Sequence, residues 1–280
     1  SPFEALSEPF VVMERGPGGH APYDRSFSTA GEYFRQNTDT GQIREDYREA
    51  VREDGTEFQR RLTELEESDL LEETLVIYTS DHGELLGEGG AVGHNAPMRP
   101  ELVRVPTIFI HPTFDSEELG AGIVRQIDLV PTVLDLLDIQ FKNHSYDGVA
   151  LGRTTPPSVG LSFYQSQVLP TGFPVLSGRV TYEGMWDASG GFTFADTGTT
   201  DRLAVLAGKV AKSPKRQYLL QNLGRSLRSY LEDEVQYGNP TFTRTEAKDA
   251  ITTAKDGSLS GDVLDVGEEA EQHLRDLGYL

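Results

Sequence analysis

The densest chemistry in the sequence is Ser80-Asp81-His82-Gly83-Glu84, which directly follows the run Thr74-Leu75-Val76-Ile77-Tyr78-Thr79. That run is β-branched and apolar on both faces, as expected of a central strand in a parallel sheet. Ligands in open α/β sheets bind in the crevice beyond the carboxyl ends of the strands, so Asp81 and His82 stand at a site rather than in the core. A carboxylate and an imidazole are suitable donors to a divalent metal. Adjacent side chains can reach one cation if the backbone turns, which Gly83 permits. The competing reading makes Asp81 a helix cap and His82 a surface residue. With no cysteine in 280 residues, a disulfide framework, a thiolate zinc site and a cysteine nucleophile are excluded, leaving oxygen and nitrogen ligands.

The elements that must hold these residues alternate between strand and helix over the first 150 positions. Pro9 to Met13 reads as a short buried strand that ends in the Gly/Pro-rich loop Gly16 to Tyr23. From Thr40 to Glu67, Ile43, Tyr47, Val51, Phe58, Leu62 and Leu65 recur at helical steps with Arg and Glu between them, which predicts a long amphipathic helix. A second strand, Val105 to Ile110, precedes a helix from Asp128 to Leu137, with Asp128 as its N-cap and Pro131 in the tolerated first turn. After Thr154-Thr155-Pro156-Pro157 the pattern changes to short runs, Leu161 to Tyr164, Val175 to Tyr182 and Gly191 to Ala195, that suit antiparallel hairpins. Tyr218 to Leu231 has helical spacing, and a short helix is expected at 273–278. The expected fold class is therefore α/β: a mostly parallel sheet flanked by helices over residues 1–155, then a smaller antiparallel β subdomain with C-terminal helices over 156–280.

Composition narrows the function classes. There are 25 Lys+Arg against 45 Asp+Glu, a net charge of −20, which opposes binding to nucleic acid or an anionic membrane. No apolar run approaches the roughly 20 residues of a membrane helix. The chain opens Ser1-Pro2-Phe3 without a charged-then-apolar leader, so its start reads as an internal position of something longer. A soluble, cytoplasmic protein is the expectation, with any export signal lying upstream. Acid excess spread along the whole chain, as in Glu232-Asp233-Glu234, resembles proteins of salt-adapted organisms.

Beyond the local chemistry, Glu73 to Glu88 resembles the second signature region of the sulfatases, in the alkaline phosphatase superfamily. Further matches follow in the family's order: Gly93-His94-Asn95 with Arg104-Val105-Pro106, Gln126 to Leu134, and Tyr146-Asp147-Gly148-Val149-Ala150-Leu151. Upstream, His20-Ala21-Pro22-Tyr23 is similar to the family's His-x-Pro-Tyr loop, and Leu274 to Leu280 to a common sulfatase terminus. The resemblance is close over residues 70–151 and loose elsewhere.

It implies that Asp81 is a metal ligand and His82 its neighbour in the metal shell. Many sulfatases carry Asn at that second position and bind calcium; a His there admits manganese, iron or zinc. His20 would contact the ester and protonate its leaving oxygen. His94 stands where relatives often place a Lys against the anion. Structural or surface roles fit the rest: His111 at a strand end, His144 and His273 on the surface, Arg104 paired with a carboxylate, and Asn143-His144-Ser145 as a chance sequon. The resemblance also exposes a gap, because the family's N-terminal Asp pair and its Cys/Ser-x-Pro-Ser-Arg nucleophile motif, the source of formylglycine, are not in this sequence. The chain is thus expected to be the C-terminal portion of a metal-dependent sulfuric ester hydrolase, inactive alone, with the missing N-terminal segment of the same protein as partner and a sulfate or phosphate ester as substrate. The alternatives are a phosphoryl-transfer relative, such as a phosphonate monoester hydrolase or phosphodiesterase, and a non-catalytic metal-binding remnant.

Overall fold

The computed structural model describes residues 3, 6–7, 9–16, 18–94, 97–111, 123–139, 146–152, 157–167 and 179–258. The chain forms two compact units, Ser1–Thr241 and Phe242–Leu280. The sequon, His144 and the helix expected at 273–278 lie outside the described residues, as do His273 and the strand residues before Arg179.

The first unit starts with α1 (Ala30–Gln36) and α2 (Thr40–Glu67), the latter running over the span that the apolar periodicity predicts. Asp39 caps α2 by accepting a hydrogen bond from the Gln42 amide at 2.8 Å. Its solvent face carries Arg–Glu pairs such as Glu49–Arg52 at 2.9 Å and Glu45–Arg48 at 3.1 Å. Exposed pairs of this kind stabilise little, so α2 is held by what it packs against. Ile43 and Ala50 from its inner face join Tyr23, Tyr33, Phe34, Val92 and Tyr218 in one buried cluster. Each fully buried large side chain there contributes about 1.5–3 kcal/mol.

Strand β1 (Val76–Thr79) pairs with β4 (Thr107–Ile110); between them lie the two-residue strands β2 (Leu85–Leu86) and β3 (Val92–Gly93) and the short helix α3 (Pro100–Val103). The pairing corrects the expectation of a mostly parallel sheet. β1 and β4 run antiparallel, with Val76 opposite Ile110, and every strand pair among the described residues is antiparallel. An apolar run on both faces says that a strand is buried, not which way its neighbour points. A parallel pair needs a crossover of a dozen or more residues, usually a helix; here the connection holds a hairpin and four-residue α3, which return the chain in the opposite sense. Pro9 to Met13 is not a strand: Val11 and Met13 are 93% and 96% exposed, and no described strand pairs with them.

Helix α4 (Leu129–Leu136) follows a 3-10 turn, Gln126–Asp128. Asp128 stands at the N-cap position of α4 as expected, but its side chain makes no cap bond; the carboxylate turns back, accepting from the Arg125 amide and Nε at 3.0 Å each, Arg125 Nη2 at 2.7 Å and the Val149 amide at 2.9 Å. Thr132 extends the link, its hydroxyl accepting from the Leu151 amide at 3.0 Å. This explains why the stretches 126–132 and 146–151 belong together: one buried carboxylate and one hydroxyl tie them.

A four-stranded antiparallel meander follows, in the order β5 (Gly160–Gln167), β6 (Arg179–Trp186), β7 (Gly190–Ala195) and β8 (Glu234–Gly238). Between β7 and β8 come α5 (Thr199–Lys212), α6 (Arg216–Gln221) and α7 (Leu223–Leu231). Val205, Leu206 and Tyr230 from these helices bury Val180, Tyr182 and Trp186 of β6. The single helix expected over Tyr218 to Leu231 breaks at Asn222, whose side-chain amide donates to the Tyr218 carbonyl at 3.0 Å and so competes with the helical ladder. In the second unit, α8 (Arg244–Ser258) begins with a capping box: Thr243 donates from its amide to Glu246 at 2.7 Å, and its hydroxyl accepts from the Glu246 amide at 3.3 Å.

Candidate active site

At the end of β1 the chain turns through Ser80, Asp81, His82 and Gly83, and it is pinned from three sides. The Gln126 side-chain amide donates to the carbonyls of both Ser80 and Asp81 at 2.7 Å. The Ser80 hydroxyl donates to the His82 carbonyl at 2.7 Å, and the Gly83 amide to the Leu102 carbonyl at 2.9 Å. Gly83 is required by close approach rather than by an unusual φ, since a Cβ there would overlap the Glu101 carbonyl.

This turn presents Asp81 and His82 to solvent, their side chains 59% and 35% exposed. The His82 Nδ1 lies 2.9 Å from the Gly83 carbonyl oxygen. A carbonyl only accepts, so Nδ1 carries a proton, and in the neutral tautomer Nε2 is the nitrogen with the lone pair. That Nε2 stands 3.8 Å from Asp81 Oδ2, while Asp81 Oδ1 accepts from the His82 amide at 3.0 Å.

Two other loops bring histidines to the same place. The hairpin β2–β3 delivers His94, whose ring centre is 4.5 Å from that of His82. The loop before α1 delivers His20, 6.0 Å from His94. Its Nδ1 lies 2.7 Å from the Ala21 carbonyl, so Nε2 is again the unprotonated nitrogen of the neutral ring. Both loops are held by α2: Asp54 accepts from the Gly18 amide at 3.2 Å, and Arg44 donates to the Leu86 carbonyl at 3.0 Å. From the other side α7 grips the hairpin, with Ser226 and Ser229 donating to the carbonyls of Gly90 and Gly89 at 2.7 and 3.1 Å.

The structure therefore gathers Asp81, His82, His94 and His20 beside one strand end. Arg104 lies elsewhere and donates to the Asp187 carbonyl at 3.0 Å, a structural role. Asp187 is itself buried and accepts from the amides of Ser189 and Gly190 and from the Thr241 hydroxyl, at 2.7, 2.8 and 2.7 Å.

Among the described residues no group of three or more His, Asp or Glu side chains is arranged to hold a metal ion. The donor chemistry of Asp81 and His82 still fits a divalent cation: one carboxylate oxygen and one imidazole lone pair face each other from a fixed turn. They fit as two ligands of a set that needs at least four.

Glu84, Tyr23 and Lys215 surround the histidines, and sequence reasoning did not assign them. Glu84 is an acid beside the apolar pair Leu85-Leu86, which could have marked it as buried; its side chain is 5% exposed. Nothing local in the sequence relates Lys215 to a loop more than 120 positions away. Burial, and then the Glu84 charge, push the Tyr23 hydroxyl well above its usual pKa, so it stays protonated.

The sulfatase family model matches residues 4–139. Over 98% of its length the chain is 30% identical to the low-salt glycan biosynthesis sulfotransferase Agl7 of Haloferax volcanii, spanning 70% of that protein. It is 39% identical over 69 residues to the uncharacterized sulfatase YidJ of Escherichia coli, spanning only 14% of it. Among solved structures, a phosphonate monoester hydrolase from Silicibacter pomeroyi superposes on 64% of this chain and 41% of its own, with a TM-score of 0.45 and 20% identity.

Proposed function

Because the chain belongs to the sulfatase family, we propose that the protein containing it is a metal-dependent sulfuric ester hydrolase and that the four gathered side chains are its share of the active site. The observation that carries this reading is the convergence of His20, His82 and His94, from three separate loops, on the turn that holds Asp81. Asp81 and His82 would be two of the ligands to a divalent cation, calcium or, given His82, manganese, iron or zinc. When bound, the cation acts as a Lewis acid on a sulfuryl oxygen. His94 lies against His82 and would contact the substrate anion, and His20 at the solvent edge, once Nε2 has taken up a proton, would deliver it to the leaving oxygen.

On this reading the remaining ligands and a nucleophile would come from sequence outside this chain, since two donors fall short of a metal's usual count and no cysteine is present to become formylglycine. Isolated, the 280 residues would turn over little or no substrate. On the same reading residues 1–155 are the C-terminal portion of the catalytic core, and 156–280 a small antiparallel β subdomain with C-terminal helices. The widespread acid excess fits a salt-adapted source.

The test is aryl sulfate hydrolysis by the full-length protein. Asp81→Asn should lower kcat/KM by more than the roughly 10- to 100-fold typical of changes one shell further out. Turnover that survives this substitution refutes the assignment. A second reading, transfer of the sulfuryl group to a sugar hydroxyl, is favoured by the relative that spans 98% of this chain and bears a sulfotransferase name. Supplying a glycan acceptor separates the two: transfer yields a sulfated glycan, hydrolysis yields free sulfate.

A further inference from the structure

Glu84 is a buried carboxylate that no step above uses. Its Oε2 lies 3.4 Å from His94 Nδ1, and its Oε1 is buried with no hydrogen-bond partner among the described residues. A carboxylate out of water in this way is costly unless a charge or further donors face it. Two groups do. The Tyr23 hydroxyl is likewise buried, and both the Glu84 charge and hydrogen bonding to Glu84 act on it. Lys215 reaches in from the start of α6, its ammonium 4.7 Å above the Phe34 ring.

Gly93 shows how closely the lysine and the carboxylate approach. Its φ is +81°, and a Cβ built there would overlap Lys215 Nζ and stand 3.3 Å from Glu84 Oε1. The bare face of this glycine thus leaves room for the lysine amine and the carboxylate on the same side, near enough for the Glu84 charge to act on Lys215 without a direct ion pair. The next residue is His94, whose carbonyl accepts from the Tyr164 hydroxyl at 3.3 Å.

We propose that Glu84 is a positioning residue for His94: it accepts the Nδ1 proton, fixes that tautomer and the plane of the ring, and leaves Nε2 to meet the substrate, with Lys215 as its counter-charge. A second carboxylate behind an imidazole does this in many sites, because the bond made by one ring nitrogen decides the role of the other. The inference rests on the reading of His94 as a substrate contact, and it adds that a helix of the C-terminal region sets that contact.

The test reads the ring rather than the reaction. In the 280-residue chain labelled with 15N-histidine, with His94→Gln assigning the signal, His94 should carry its proton on Nδ1. Glu84→Ala should move it to the Nε2–H form that a free neutral imidazole prefers, and Glu84→Gln, which keeps the volume if the alanine variant does not fold, should give a mixture. A wild-type ring already protonated on Nε2, or a tautomer unchanged in folded Glu84→Ala and Glu84→Gln, overturns the proposal. Lys215→Met should shift the signal in the same direction; an unchanged spectrum removes the lysine from the account. In the full-length enzyme, Glu84→Gln should lower kcat about 10- to 100-fold. A changed tautomer without that loss would retain the positioning role and refute the substrate-contact reading of His94.

Discussion

Replacing Asp128 by Asn isolates the buried carboxylate that ties the turn before α4 to the stretch 146–151. The side chain is fully buried and is paired with Arg125, whose own side chain is 23% exposed. Asn keeps the volume but loses the charge that Arg125 Nε and Nη2 address. Breaking a buried pair from one side costs about 3–5 kcal/mol, and because Arg125 still reaches water we expect the lower end, about 3 kcal/mol. For a chain of this size that corresponds to a Tm lower by about 6–12 °C. Burial alone would raise the pKa of Asp128; the hydrogen bonds from Arg125 and Val149 outweigh it and hold the group below its ordinary 3.8. A depressed folded-state pKa means that this stabilisation is fully present above the unfolded value and is lost as pH falls through the folded one. The gap between wild type and variant should therefore be constant from neutrality down to about pH 4 and then close. Urea unfolding followed by the fluorescence of Trp186, the one tryptophan, measures it. A loss below about 1 kcal/mol, no more than an ordinary neutral hydrogen bond, or a gap that persists undiminished in acid, refutes the reasoning.

Further outcomes are expected. Gln126→Leu removes both donors to the carbonyls of Ser80 and Asp81; it should cost about 1–3 kcal/mol and accelerate amide exchange at Gly83, while amides in α5 stay protected. Gly83→Ala drives a Cβ into the Glu101 carbonyl and should cost about 1–3 kcal/mol by strain, readable as a lower urea midpoint. Asp187→Ala strips the acceptor from the amides of Ser189 and Gly190 and from Thr241, and should lower Tm more than Asp196→Ala, a comparison that one thermal scan makes.

How far the sequence predicted this molecule depends on the range of the forces involved. Helix α2 was legible from end to end because its apolar period and its Asp39 cap are local. So were three of the meander strands, β5 and β7 in place and β6 displaced toward its start, through their length and the glycines and prolines between them. The direction of β1 against β4 was not, because apolar content reports burial while direction is set by how the chain returns. The segment at Val11 to Met13 misled for the same reason: an apolar run makes a strand only if a partner lies alongside. The helices α5 and α8 were missed, since their apolar positions are interrupted by Lys, Thr and Asp, and the strand β8 because it offers only Val235 and Tyr237 as apolar signals. At the site, Asp81 and His82 stood out because they are adjacent at a strand end. The part played by Asp128 was mistaken for a cap because its partner Val149 is 21 positions away, and Lys215 could not be related to Glu84 from sequence at all.

The grip of α7 on the β2–β3 hairpin also sets a timetable. Ser226 follows Gly90 by 136 positions and Ser229 follows Gly89 by 140. At about 5–20 residues per second of synthesis, the hydroxyls that close on those two carbonyls are made about 7–28 s after them. Until then a nascent chain carries all four gathered side chains but lacks the helix that clamps the hairpin bearing His94. The hold of α7 on that hairpin is thereby deferred until the ribosome has passed Ser229, almost the whole of the first unit.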